Sequence, residues 1–358
     1  MLIWLTDTLM YRKKKKKVDK STMSNENIRK LVSFKTIEKI LPIEGADRIE
    51  LVKFGGWQSV VKKGEFKVGD KVIYFEIDTF LPKDVPQFAF LSERNSKKVL
   101  NDYHKEVEGH VLKTIRLRGH LSQGLVLKPS DFDVPLNTQA DLEDYFYNKL
   151  GVFKYEKPLP LDNSIVGDYP AFTIKTDSER VQNLSDEILQ KLAKLGTWKA
   201  TEKVDGTSST WWKDETGKLH VASRNYELAL SKDSVHYKLM RDYNLNEILQ
   251  PNETLKGEIV GEGVQKNPLK IKGKKLLNFE WESDTRELPE ELVPYKVKEY
   301  DLPFPTTVDE ALAQVDGLKS LVNPDVQAEG IVWRNTDGKA FEELGWRPNF
   351  KAINNSYL

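Results

Sequence analysis

The chain has 358 residues, 39% hydrophobic and 31% charged, the composition of a soluble protein with room for two cored domains; it excludes a disordered or membrane-embedded chain. Lys plus Arg and Asp plus Glu both number 55, so any polyanion must be met by local patches. The absence of cysteine excludes disulfides, thiolate zinc sites and a cysteine nucleophile, and five scattered histidines give no metal spacing.

Residues 1–23 look foreign to the rest. Met1 to Met10 is too short to span a bilayer, and its charges follow it, unlike a secretory signal. Lys13 to Lys17 reads first as a solvated, disordered basic arm and second as a nuclear address. Met23-Ser24-Asn25 resembles an ordinary protein start, so translation is expected to begin there.

From Ile28 to about Lys128 the signal is mostly β. Leu51–Phe54, Ser59–Val61, Lys71–Phe75 and Leu125–Leu127 are short β-rich runs separated by Gly55-Gly56, Gly64 and Gly69-Asp70, which predicts a small barrel or sandwich. Arg116, Arg118 and His120 alternate and are expected to line one strand face as phosphate contacts. Trp57, Tyr74 and Phe75 are candidate stacking platforms for bases, with core packing the alternative for each. Phe88, Phe90 and Lys97-Lys98 are placed in a loop. A helix is expected from Asp141 to Leu150, and Lys157-Pro158-Leu159-Pro160-Leu161 as an extended linker.

In the second half, Leu184, Ile188, Leu189, Leu192 and Leu195 fall at helical spacing and are expected in a core. Thr201-Glu202-Lys203-Val204-Asp205-Gly206-Thr207 follows. If it is a strand, Lys203 and Asp205 share a face, and Gly206 lets backbone or ligand approach closely. The β-formers after it and Asp214-Glu215-Thr216-Gly217 predict a hairpin into Leu219-His220-Val221. Downstream come Ser223-Arg224-Asn225, Lys256-Gly257-Glu258-Ile259-Val260-Gly261, Asn278-Phe279-Glu280-Trp281, Ala328-Glu329-Gly330-Ile331-Val332 and Phe350-Lys351-Ala352-Ile353-Asn354. His220 and His236 are read as structural, and Trp211, Trp212, Trp281 and Trp333 as core.

In this order, K-x-D-G, S-R-N, G-E-I-V-G, N-F-E-W, E-G-I-V and F-K-A-I-N resemble the covalent nucleotidyltransferase motifs of ATP-dependent polynucleotide ligases. The upstream T-D-S-E-R-V-Q strengthens the likeness. The first domain resembles the OB-fold modules that bind tRNA and other RNAs, through Ile43–Ile49, Val68–Val72 and Arg116–Leu125. Together the halves look like RNA ligases with an N-terminal OB domain, the group often called the Deinococcus type, from about Ser24 to Leu358. DNA ligases and capping enzymes normally carry an OB module after the last motif. Here seven residues follow Lys351, which favours RNA ligase among these.

After the basic arm (1–23), which falls outside it, the resemblance implies an α+β protein: an OB-fold RNA-binding barrel (24–150), a linker (151–169) and an adenylylation domain (170–358). That last domain, ATP-grasp-like, would have antiparallel sheets with flanking helices. It implies ATP and Mg²⁺ as cofactors, with Mn²⁺ able to substitute. Lys203 would be the AMP-accepting nucleophile, and Arg224, Lys351 and Arg180 would hold phosphates. Glu258 would grip the ribose or a metal-bound water, and Phe279 would stack on adenine. Glu202, through its backbone, would help read the base beside Gly206. Asp205, Glu280 and Glu329 would hold hydrated metal. Arg116, Arg118 and Trp57 would contact RNA, expected as a nicked duplex with an RNA 3′-hydroxyl strand. A monomer in a reducing compartment such as the cytoplasm, away from membranes, is expected. In one departure, many such ligases carry K-x-K in the last motif, whereas Lys351 is followed by Ala352 and Ile353. The alternatives are a DNA ligase, a capping-type transferase, or a non-catalytic RNA-binding protein.

Overall fold

The computed structural model describes residues 30–91, 96–101, 105–156 and 164–357. The basic arm, Met23 and the proline-rich stretch 157–163 lie outside these residues, while within the rest of the expected linker Phe153–Lys154 and Ile165–Asp168 are strands. The chain separates into two compact units, Ile28–Leu159 and a second that begins at Pro160 and runs to Leu358.

In the first unit, β1 (Val32–Thr36), β5 (Lys71–Phe75) and β11 (Leu125–Leu127) form one antiparallel sheet in the order β1-β5-β11. A second sheet joins β2 (Lys39–Pro42), β3 (Ile49–Phe54) and β4 (Trp57–Lys62). A third joins β6 (Thr79–Pro82), β7 (Lys97–Leu100), β8 (Glu106–Val111) and β12 (Phe153–Lys154) in the order β12-β6-β8-β7. Strand β5 faces a core on each side, as its alternation requires. Ile73 and Phe75 meet Phe88, Phe146 and Leu142 on one face, while Val72 and Tyr74 meet Phe54, Trp57 and Phe66 on the other.

Three expectations for this unit change. Trp57 is 1% exposed, its ring 5.5 Å from that of Tyr74, so it is core and cannot stack on a base. The Gly55-Gly56 turn precedes β4, and the pleat then points the indole inward. Arg118 is not on a strand: β9 (Thr114–Leu117) and β10 (His120–Gln123) pair Leu117 with His120, leaving Arg118 and Gly119 as the turn, both at positive φ. Arg116 and Arg118 are thus exposed near a hairpin tip, with His120 across the turn. Phe88 is fully buried and Lys97-Lys98, though exposed, begin β7; only Phe90 is both exposed and outside a strand. The helix expected at Asp141 begins as α1 (Gln139–Glu143), capped by Thr138, and widens to a π-helical turn over Asp144–Lys149.

The second unit holds two sheets. The larger orders β13 (Ile165–Asp168), β18 (Tyr226–Leu228), β17 (Leu219–Ala222), β16 (Thr207–Lys213), β19 (Thr254–Gly261) and β20 (Lys274–Glu282), all antiparallel. Its outer face, with Trp211, Val221, Leu255 and Ile259, packs on α3 (Val235–Asp242) and α4 (Leu245–Ile248). The smaller orders β14 (Glu179–Arg180), β23 (Asn349–Ile353), β22 (Gly330–Asn335), β15 (Trp198–Lys203) and β21 (Glu299–Tyr300). Its outer face, with Ala200, Ile331, Trp333, Phe350 and Ala352, packs on α2 (Asp186–Ala193) and α5 (Val308–Val315). Ser185 caps α2 by accepting from the Ile188 N–H, which is why the helix starts there. Leu184, Leu189 and Leu192 join the core, but Leu195 is 38% exposed because the helix has already ended at Ala193.

Candidate active site

The inner faces of these two sheets carry the polar residues. On the smaller sheet, Ala200, Ile331 and Phe350 point to the helices, so their strand neighbours point inward. Thr201, Lys203, Val332, Arg334 and Lys351 therefore share the inner face. Arg180 is the strand partner of Lys351, and Val332 partners both Lys351 and Thr201, which sets these groups in one row across the sheet. On the larger sheet, Leu255 and Ile259 face outward, leaving Lys256 and Glu258 inward.

Lys203 is the last residue of β15, and Gly206 precedes β16 in the other sheet. The K-x-D-G stretch is therefore the crossover between sheets, and Asp205 lies off the strand rather than on a common face with Lys203. The hairpin after it forms as expected, with β16 pairing β17 from Thr210 to Lys213. Gly206 is required by packing: a Cβ there would meet the Ile259 carbonyl oxygen at 2.2 Å and Glu258 Cγ at 2.9 Å.

The Lys203 amine donates to Glu329 Oε1 at 2.5 Å. The other carboxylate oxygen, Oε2, is buried with no hydrogen-bond partner. Glu258, although part of its surface reaches solvent, has its carboxyl pushed up to about 8, chiefly by burial. Lys203 opposes that shift, Glu329 and Asp205 reinforce it, and Arg224 opposes it weakly. All four groups therefore lie within electrostatic reach of Glu258, and the cluster gathers residues from motifs up to 126 positions apart.

Around this cluster stand the remaining candidates. Arg224 Nη2 donates to Asp177 Oδ2 at 2.8 Å, tying the S-R-N segment to the T-D-S-E-R segment. Ser178 in turn donates to Asn349 at 2.5 Å, beside Lys351. Glu202 points away from the cleft: its Oε2 accepts the N–H groups of Leu321 and Val322, and its own N–H donates to the Lys298 carbonyl at 2.8 Å. That N–H is therefore not open to a base. Phe279 lies against the apolar cluster of Val204, Val260 and Leu269, and the Arg334 guanidinium sits 4.7 Å over its ring. Burial lowers Arg334 to about 10, against the pull of Glu280. Glu280 Oε1 accepts from Lys256 Nζ at 2.6 Å. Among the described residues no three acidic or histidine side chains gather tightly enough to ligate a metal directly, so Asp205, Glu280 and Glu329 are not a direct three-ligand set.

An OB-fold domain profile matches residues 31–129, and an RNA ligase profile matches residues 196–353. The solved structure of a Naegleria gruberi RNA ligase variant with AMP and Mn is 33% identical, with a TM-score of 0.72, over 92% of this chain and 98% of that one. The chain belongs to the ATP-dependent RNA ligases with an N-terminal OB domain. The Naegleria gruberi RNA ligase with PPi matches at 34% identity and TM-score 0.72, again over 92% and 98%. A variant with ATP and Mn matches at 32% and 0.71, over 91% and 98%. No curated protein sequence matches.

Three residues of this ligase that sequence reasoning passed over stand in or beside the cleft. Lys256, 1% exposed, bonds both Glu280 and Glu282, and Thr173 adds a hydroxyl to Glu282. Arg334 covers Phe279. Tyr357 donates its hydroxyl to Asp205 Oδ2 at 2.8 Å. Lys256 and Arg334 each sit beside a motif residue and could have been flagged by the inward phase of their strands; Tyr357 left no such signal. No helix of the described residues is long and apolar enough to cross a membrane.

Proposed function

We propose that this RNA ligase joins an RNA 3′-hydroxyl to a 5′-phosphate through a lysyl-AMP intermediate on Lys203. The supporting observation is the Lys203 amine, 2.5 Å from Glu329, in a cleft where Glu258, Asp205 and Arg224 converge. The relatives' bound AMP, ATP, PPi and Mn are the ligands such a reaction would use.

A lysine must lose its proton before it can attack phosphorus, and Glu329 is positioned to take it. The neutral Nζ then forms a P–N bond to the α-phosphorus of ATP, and the P–O bond to pyrophosphate breaks. In the second step an oxygen of the RNA 5′-phosphate attacks that phosphorus; the P–N bond breaks and the amine regains a proton. In the third, the 3′-hydroxyl attacks the activated 5′-phosphate, loses its proton and releases AMP.

Negative charge builds on phosphoryl oxygens in each step, so cations fixed in advance lower the barrier. Lys351 would meet the α-phosphate, its row neighbour Arg180 the β- or γ-phosphate, and Arg224 the AMP or RNA phosphate. Glu258, protonated near neutral pH, would hydrogen-bond the ribose hydroxyls. Adenine would stack on the Phe279 ring, and on the face that Arg334 covers it would displace the guanidinium.

A divalent cation fits the residues present. Asp205 and Glu329 supply hard carboxylate oxygens, and the buried, unbonded Oε2 of Glu329 suits an ion or its hydration water, with Glu280 as a more distant contributor. Mg²⁺, with Mn²⁺ able to substitute, would screen phosphate charge there. The exposed Arg116 and Arg118 would contact the RNA backbone from the OB unit.

The test is a panel of nicked duplexes with a labelled 5′-phosphate, supplied with ATP and Mg²⁺. Sealing is expected where the strand ending in the 3′-hydroxyl is RNA, which the 2′-hydroxyl makes detectable. Sealing of DNA nicks alone, or a need for GTP, would overturn the reading.

A further inference from the structure

The turn that follows β23 is hydrogen-bonded to both Glu329 and Asp205. Its first residue, Asn354, is fully buried; the Asn354 N–H donates to the Glu329 carbonyl oxygen at 2.8 Å, and its side-chain amide donates to the Ala328 carbonyl at 3.1 Å. Within the turn, Ser356 N–H donates to Asn354 Oδ1 at 2.9 Å and Tyr357 N–H to the Asn354 carbonyl at 3.1 Å. Ser356 Oγ reaches Asp316 Oδ1 at 3.0 Å, which pins the turn from outside. A segment this fully bonded presents its side chains in fixed directions. One of them, Tyr357, delivers its hydroxyl to Asp205 Oδ2 at 2.8 Å, from 152 positions away.

The consequence concerns Asp205. It stands on the crossover between the sheets, outside either strand ladder, so its carboxylate gains little direction from regular pairing. A phenol donating to Oδ2 restricts the carboxylate plane and orients its remaining lone pairs. Outer hydrogen-bond partners of this kind orient the carboxylates that hold metals.

We infer that Tyr357 is a positioning residue of the site, holding Asp205 in the orientation that a divalent cation requires. The same turn holds the Glu329 backbone through the Asn354 N–H, so one structural unit touches both Asp205 and the residue that accepts from the Lys203 amine. The inference rests on the function proposed above.

The test reads metal binding without turnover. Full-length protein, with AMP present, is titrated with Mn²⁺ and free Mn²⁺ is followed by electron paramagnetic resonance, for the wild type, Tyr357→Phe, Asp205→Asn and the double variant. Tyr357→Phe is expected to weaken Mn²⁺ binding roughly tenfold, the lower end of what an outer partner of a metal ligand confers. Its melting temperature should fall by no more than a few degrees, as for loss of one hydrogen bond. In the Asp205→Asn background the same change should have no further effect on Mn²⁺ binding, because Tyr357 acts through the carboxylate. Unchanged Mn²⁺ affinity in Tyr357→Phe, an equal additional loss in the double variant, or no Mn²⁺ binding by the wild type would overturn the inference. A wild type that binds Mn²⁺ yet forms no nucleotide adduct would defeat the proposed function instead.

Discussion

The Lys203 amine and the Glu329 carboxylate are hydrogen-bonded at 2.5 Å although they lie 126 residues apart in the chain. Register explains the meeting: Lys203 ends β15 opposite Gly330, the residue after Glu329, so the two side chains emerge at the same end of adjacent strands. Replacing Glu329 by alanine removes the partner of the amine and one carboxylate of the proposed metal site. Adduct formation with ATP should fall by about 100-fold or more. A variant that adenylylates at the wild-type rate would remove Glu329 from the mechanism.

Gly206 leaves no room for a side chain. In Gly206→Ala the new methyl would press on the Ile259 carbonyl, a backbone atom of the adjacent strand that cannot swing aside. Strain of about 2 kcal/mol is expected, within the usual range for overpacking, together with loss of adduct formation as the crossover shifts. Denaturant unfolding and a labelled-ATP assay on the same preparation would check both.

Lys256 is a buried cation between two carboxylates. Lys256→Met would leave Glu280 and Glu282 close together without their shared counter-charge, a change expected to cost about 3–5 kcal/mol. Adding Glu280→Gln and Glu282→Gln should recover much of that loss, since the repulsion goes with the charges. Chemical denaturation of the single and triple variants distinguishes this from simple loss of packing, which the added glutamines would not repair.

His236 gives a stability signal away from the site. Burial beside Trp211 depresses its pKa from 6.5 to about 4, so the folded protein holds it neutral where the unfolded chain would protonate it. Its contribution is therefore present above pH 6.5 and is lost as pH falls through 4, amounting to about 3 kcal/mol at most. Replacement by leucine should flatten the stability profile across that window while leaving stability near pH 7.5 little changed by charge. An unchanged slope would show that His236 does not titrate this way.

Much of the site is legible because its chemistry is written in short local strings. Lys203, Glu258, Glu329 and Lys351 each stand in a motif whose neighbours are strand-formers, and alternation then fixes which face they take. The local geometry of K-x-D-G is not legible in that way: Lys203 closes one sheet and Gly206 opens the approach to the other, and a crossover looks like a strand when read residue by residue. Trp57 misleads for a similar reason, since a Gly-Gly turn suggests an exposed ring while the pleat of β4 turns it inward. Tyr357, Arg334 and Lys256 acquire roles only through partners on other strands or beyond them. The barrel strands Lys71–Phe75 and Leu125–Leu127 are readable to the residue because each is a compact apolar run bounded by glycine, proline or charge.

The most direct test of the account is incubation of the purified protein with radiolabelled ATP and Mg²⁺ beside Lys203→Ala, followed by denaturing electrophoresis and acid treatment. The account predicts an acid-labile protein–AMP adduct in the wild type, released by pyrophosphate, and none in the variant. An equal adduct in Lys203→Ala, or none in folded, nucleotide-free wild type, would contradict the assignment of Lys203 as the residue that carries AMP.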